Sequence, residues 1–158
     1  MSIHHNTWTI IDFDYGNIKC EMIEFQINNI EYVMIFTRVD EAQDQETIGY
    51  KENDLNIDIK KNSYQVKFDL KDNFENDVYF KVPQDKLSFI HIKQLGKLLI
   101  ELLYYHYEHS KADGYFFTAE NAKLKRFYDH LAEQHKNILL FKVLKDLGDE
   151  GHGYALTI

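Results

Sequence analysis

An α+β fold, with a mixed and mainly antiparallel sheet and two principal helices, is what three features of this sequence predict. Strand-length apolar runs fill the first half, leucines at helical spacing fill a long segment of the second, and one strand-length run separates that segment from another amphipathic stretch. At 158 residues the chain suits one well-formed core, so residues 1–158 are read as a single domain.

Thr7–Phe13, Ile18–Ile27 and Glu31–Thr37 carry apolar residues that alternate or run in short blocks, and Asn28-Asn29 between the last two is a hairpin turn. Residues 39–58 hold seven acids and one lysine with weak periodicity, which predicts a solvated connection or an exposed hairpin tip. Tyr64–Leu70 and Val78–Val82 are two further strands, and Pro83, the only proline, closes the run. From Lys86 to about His109 the residues Ile92, Leu95, Leu98, Leu99, Leu102 and Leu103 recur at helical spacing. Asp113-Gly114 ends the next connection, Tyr115–Thr118 is a short buried strand, and Ala122–Gln134 is a second helix with Leu124, Phe127, Tyr128 and Leu131 inward. Ile138–Leu144 and His152–Thr157 are strands around the turn Gly148–Gly151.

Composition narrows the setting. An aromatic share of 15% argues for a packed interior and against disorder. Cys20 is the only cysteine, so no intrachain disulfide and no thiolate-based zinc site can form, which fits a reducing, cytoplasmic compartment. The N-terminus lacks an export signal, and the longest apolar stretch, Leu98–Tyr105, is broken by Glu101 and far below spanning length, so no membrane association is expected. The net charge of −8 is unevenly placed: residues 1–85 hold 17 acids against 8 bases, and residues 86–158 hold 9 against 10. That sign disfavours a nucleic acid as partner and favours a basic protein or a cationic substrate. Exposed strands within residues 7–37 leave open a homodimer formed by pairing across a two-fold axis.

At Gly96 the long helix reads G-K-L-L-I-E-L-L, and after the next strand comes N-A-K-L-K-R-F-Y, with Asn121 seven positions before Tyr128. Over residues 86–158 this order resembles the GCN5-related N-acetyltransferases. In that family a glycine-bearing loop leads into a long helix, a strand splays away, an asparagine opens the next helix, and a tyrosine acts as general acid. The resemblance implies acetyl-coenzyme A as cofactor, with Gly96 and Asn121 as cofactor contacts and Tyr128 as the acid. The family's pyrophosphate loop runs Gln or Arg, two residues, Gly, one residue, Gly or Ala. Aligned on Gly96, this chain offers His91-Ile-Lys-Gln94-Leu-Gly96, which keeps the last glycine and puts a side chain at the inner one, where backbone amides would approach a phosphate. The Gly-Phe that follows the tyrosine helix in the family is Ala132-Glu133 here.

Each candidate also has a plainer reading. Tyr128 beside Phe127 suits simple burial on an inner helix face, and Asn121 or Thr118 suits a helix N-cap. His106 and His109 lie at a helix end, where the helix dipole alone accounts for them, and no recognised metal-ligand spacing is completed. Lys123, Lys125 and Arg126 are contacts to a phosphate or an acidic partner, or ordinary solvated charges. Asp12 and Asp14 alternate with Ile11 and Phe13, so their carboxylates share one strand face, as a catalytic pair or as a solvated edge. No G-x-x-x-x-G-K-[ST] loop, H-E-x-x-H helix or G-x-S-x-G elbow is present.

Two functions follow. The first is a small cytoplasmic protein-binding module, non-catalytic and without a cofactor, of the kind exemplified by immunity proteins and antitoxins. It would neutralise a basic effector through Asp40, Glu41, Asp44, Glu46, Glu52, Asp54 and Asp58, because a basic partner relieves their mutual repulsion and gains in on-rate. The alternative is an acyltransferase of the resembling type that moves an acetyl group from acetyl-coenzyme A to a cationic amine.

Overall fold

The computed structural model describes residues 8–16, 18–38, 62–75, 89–119, 121–135, 141–147 and 151–157. In chain order these form β1 (Ile10–Tyr15), β2 (Ile18–Ile27), β3 (Ile30–Arg38), β4 (Ser63–Leu70), α1 (Lys71–Glu75), α2 (Phe89–Ser110), β5 (Gly114–Thr118), α3 (Ala122–His135), β6 (Lys142–Leu147) and β7 (Gly153–Thr157). The strands make one seven-stranded sheet in the order β1-β2-β3-β4-β5-β7-β6. Only β4 and β5 pair in parallel; every other neighbouring pair is antiparallel. The class is therefore α+β with a mixed, mostly antiparallel sheet, and α2 and α3 are its two substantial helices.

The β2–β3 hairpin pairs Ile27 with Ile30 across two residues. Asn28 and Asn29 both have positive φ, 49° and 66°, the conformation that matches the twist of the flanking strands. Asparagine tolerates it because its short polar side chain bonds locally. Further along, the parallel β4–β5 pair is set by Asn62. Its side-chain amide donates to the carbonyls of Ser110 and Lys111 at 3.3 and 3.0 Å, closing the end of α2, and its own carbonyl accepts from the Asp113 amide at 2.7 Å. The end of α2 is thus tied to the residue that opens β4, and Ser63 comes to lie opposite Gly114.

Both long helices cover the same face of the sheet. The ring of His106 on α2 meets Phe36 and Tyr64, and the ring of Tyr128 on α3 meets Phe68 and Phe117, all at positions of one parity in their strands. Leu99, Leu102 and Leu103 of α2 bury completely or nearly so against Ile23, Met34, Phe36 and Val66. Gly96 sits within α2 and faces α3: a β-carbon there would stand 2.8 Å from Cδ1 of Leu131. The missing side chain lets the two helices approach.

Boundaries depart from the sequence reading in explicable ways. β1 begins at Ile10 and runs to Tyr15, because pairing with β2 covers Ile10 to Tyr15. Of the strand expected over Ile138–Leu144, residues 138–140 lie outside the described residues, and the described strand is Lys142–Leu147, paired with β7. The short helix α1 was not anticipated; five residues are too few for a periodic signal. The strand expected over Val78–Val82 and the acidic residues Asp40, Glu41, Asp44, Glu46, Glu52, Asp54 and Asp58 lie outside the described residues.

Candidate functional site

Among the described residues, the most deeply buried polar network begins at His106. It lies on the apolar face of α2, three residues beyond Leu103, and its side chain is fully buried. Its Nε2 is 3.0 Å from Oε1 of Glu21 on β2, and its Nδ1 is 2.8 Å from the Tyr115 hydroxyl on β5, with the Ser110 hydroxyl at 3.3 Å. A carboxylate only accepts, so with the ring neutral Nε2 carries the proton and Nδ1 accepts from Tyr115. Phe36 stacks on the imidazole at 3.8 Å and 3° between planes, and Tyr64 meets it edge-on at 4.7 Å. Three hydrogen-bonding partners and two aromatic walls leave the ring one orientation.

Electrostatics follow the geometry. The hydrogen bond from His106 holds the Glu21 carboxyl below the ordinary glutamate value, helped by the charges of His109 and Arg38 and opposed by partial burial. Burial pushes the Tyr115 phenol upward, which keeps it a donor. Glu21 is thereby an ionised acceptor at the end of a fixed chain, and its second oxygen is 4.0 Å from Nε2 of the exposed His109.

Glu21 opens onto a cleft of about 450 Å³ over the sheet, lined among others by Asp12, Asp14, Lys19, Arg38, Tyr64 and Phe36. That volume falls in the range of roughly 300–1,000 Å³ typical of ligand sites. Asp12 is opposite Glu21, and Asp14 opposite Lys19, in the β1–β2 register. Arg38 at the end of β3 and Tyr64 near the start of β4 both line it.

The residues named by the acyltransferase resemblance lie elsewhere on the same face. Tyr128 is 7% exposed and ringed by Phe68, Phe117, Phe127 and Tyr154, at 5.4 to 6.2 Å between centroids. The cavity it touches, shared with Leu99, Leu103 and Leu131, has about 50 Å³ of space, enough for a few waters. Asn121 caps α3: its Oδ1 accepts from the Leu124 amide at 2.8 Å. The segment 91–96, aligned above with a pyrophosphate loop, is helical, and Gly96 faces Leu131 and Phe127.

Lys125 is engaged by Asp146 at 2.7 Å and Asp129 at 3.3 Å, and Tyr154 donates to Asp129 at 2.6 Å, so these groups tie α3 to β6 and β7. Lys123 and Arg126 are exposed. His106 and His109 both turn to Glu21, and among the described residues no three His, Cys, Asp or Glu side chains are arranged to hold a metal. No described helix is long and apolar enough to cross a membrane.

Sequence reasoning had His106, Asp12 and Asp14 in view but not Glu21, Arg38, Tyr64 or Tyr115. The available signal was parity: Glu21 shares the inward face of β2 with Ile23, Phe25 and Ile27, so a charge at that position needs an explanation. Compared with protein-family models, curated proteins and solved structures, the chain matches none of them.

Proposed function

We propose that the protein works by binding, as a small cytoplasmic module that neutralises a basic protein effector through its acidic first half, in the manner of immunity proteins and antitoxins. The observation that carries this reading is the packing around Tyr128. A general acid must reach its substrate, yet four aromatic rings surround this phenol beside a cavity of about 50 Å³. Gly96 and Asn121 are likewise occupied, one in helix contact and the other in capping. The charge of the first half, 17 acids against 8 bases over residues 1–85, names the sign of the partner. No cofactor enters this reading. Reversal of Asp44, Glu46, Glu52 and Asp54 to Lys tests it: affinity capture with wild type recovers a basic protein that the folded variant loses. Equal recovery by both would refute the acidic-surface role.

One observation favours the acyltransferase reading. β5 pairs with β4 over only three positions, Ser63 to Gln65, and then leaves it, as the splayed strand of the resembling family does. On that reading Tyr128 and Phe68 move aside to admit acetyl-coenzyme A. The test is acetyl transfer to a panel of cationic amines, with product formation abolished by Tyr128→Phe.

A further inference from the structure

A fully buried imidazole is costly unless every polar atom is satisfied, and this fold satisfies it by a chain that runs Ser110 and Tyr115, His106, Glu21. A leucine at position 106 would continue the apolar face of α2 without any such network. What the network achieves is at its outer end: the Glu21 side chain, 19% exposed, is held in one orientation in the wall of a ligand-sized cleft. Groups fixed by a second layer of hydrogen bonds characterise binding sites more than framework.

The cleft's charge says what it receives. Across β1 and β2 Asp12 and Glu21 are directly opposite in register, a like-charge pairing that disfavours the sheet and that a cation would relieve. Asp12 and Asp14 are exposed and make no hydrogen bond or ion pair with another described residue. Lys19 is exposed, and the charge of Arg38 acts on Glu21. Among the described lining residues three carboxylates stand against two cations, inside a protein whose net charge is −8. Phe36 and Tyr64, both buried against His106, form the apolar floor of the cleft.

We propose that this cleft binds an ammonium or guanidinium group, with Glu21 as the receiving carboxylate, Asp12 as its cross-strand partner, and His106 as the residue that positions Glu21. The site stands on its own geometry and does not require the partner to be a protein; a free amine and a basic side chain of a partner share the chemistry.

The test is a titration of the labelled full chain, followed by amide shifts in β1 and β2, with agmatine, with an acetyl-Ala-Arg-Ala-amide peptide, and with succinate and sodium chloride as controls. Saturable shifts with a cation are expected. Glu21→Gln should weaken binding about tenfold, as loss of a charge-assisted hydrogen bond does. Asp12→Asn, at an exposed position that leaves the fold untouched, should weaken it severalfold, and Glu108→Gln, the same charge change on the exposed side of α2, should not. Tighter binding of the peptide assigns the site to a partner's side chain, and tighter binding of agmatine to a free amine. Shifts that do not saturate, that sodium chloride reproduces, that succinate produces instead, or that survive unchanged in both cleft variants would overturn the proposal. A charge-reversed acidic segment that loses its captured protein while agmatine still saturates the cleft separates this site from the protein-binding reading.

Discussion

His106 and Glu21 stand 85 positions apart in the chain and 3.0 Å apart in space. The contact joins the last turns of α2 to the second strand of the sheet, and it converts a buried ring into a support for a carboxylate at the surface. The stability of the fold and the chemistry of the cleft therefore share one hydrogen bond.

Acid should weaken the fold through this bond. The Glu21 carboxyl is held below its ordinary value of 4.5 in the folded chain, so its contribution is present above that pH and is lost as the pH falls through the folded value. Chemical denaturation from pH 7 to pH 3 should show Glu21→Gln less stable than wild type by about 1 kcal/mol at neutral pH, with the difference vanishing in acid.

Removal of the imidazole is a harsher change. His106→Leu leaves the buried Tyr115 hydroxyl with Ser110 alone, at 3.5 Å, and takes from Glu21 its closest donor. A loss of about 1–3 kcal/mol in unfolding free energy is expected from the broken buried network, whereas Tyr115→Phe should cost about 1 kcal/mol.

The joint at the end of α2 depends on Asn62, whose amide bonds two terminal carbonyls of that helix. Asn62→Ala should lower stability by about 1–2 kcal/mol, and hydrogen exchange of the β5 amides should quicken more than that of β2.

Helix contact explains Gly96. Gly96→Val places branched atoms where a single β-carbon already stands 2.8 Å from Leu131, and should cost about 1–3 kcal/mol. Leu131→Ala in the same chain should recover part of that loss, giving a double-mutant coupling above about 0.5 kcal/mol.

Much of this architecture was legible in the sequence because it rests on local periodicity. Ile18–Ile27 was read to the residue, the Asn28-Asn29 turn was read from its residue types, and α2 and α3 followed from leucines and aromatics at helical spacing. What was not legible is non-local. Nothing in β4 or β5 announces that they run in parallel, since that depends on Asn62 clasping the end of a helix 48 positions away. The cleft was hidden for the same reason: Asp12, Glu21, Arg38 and His106 belong to four different elements, and only the register of β1 to β3 under α2 gathers them. Tyr128 lies on α3 and Asn121 caps it, and the functional weight placed on them came from the order of elements, which carries no information about how much room a side chain has.

The measurement that bears most directly on the proposed binding function is a thermal-shift titration with acetyl-coenzyme A, because any ligand that binds only the native state must raise its melting temperature. With the space beside Tyr128 as small as it is, the account predicts no shift up to millimolar cofactor, in wild type and in Gly96→Ala alike. A saturable rise that Tyr128→Phe preserves and a bulky residue at Gly96 removes would contradict it, and would make acetyl transfer the primary function.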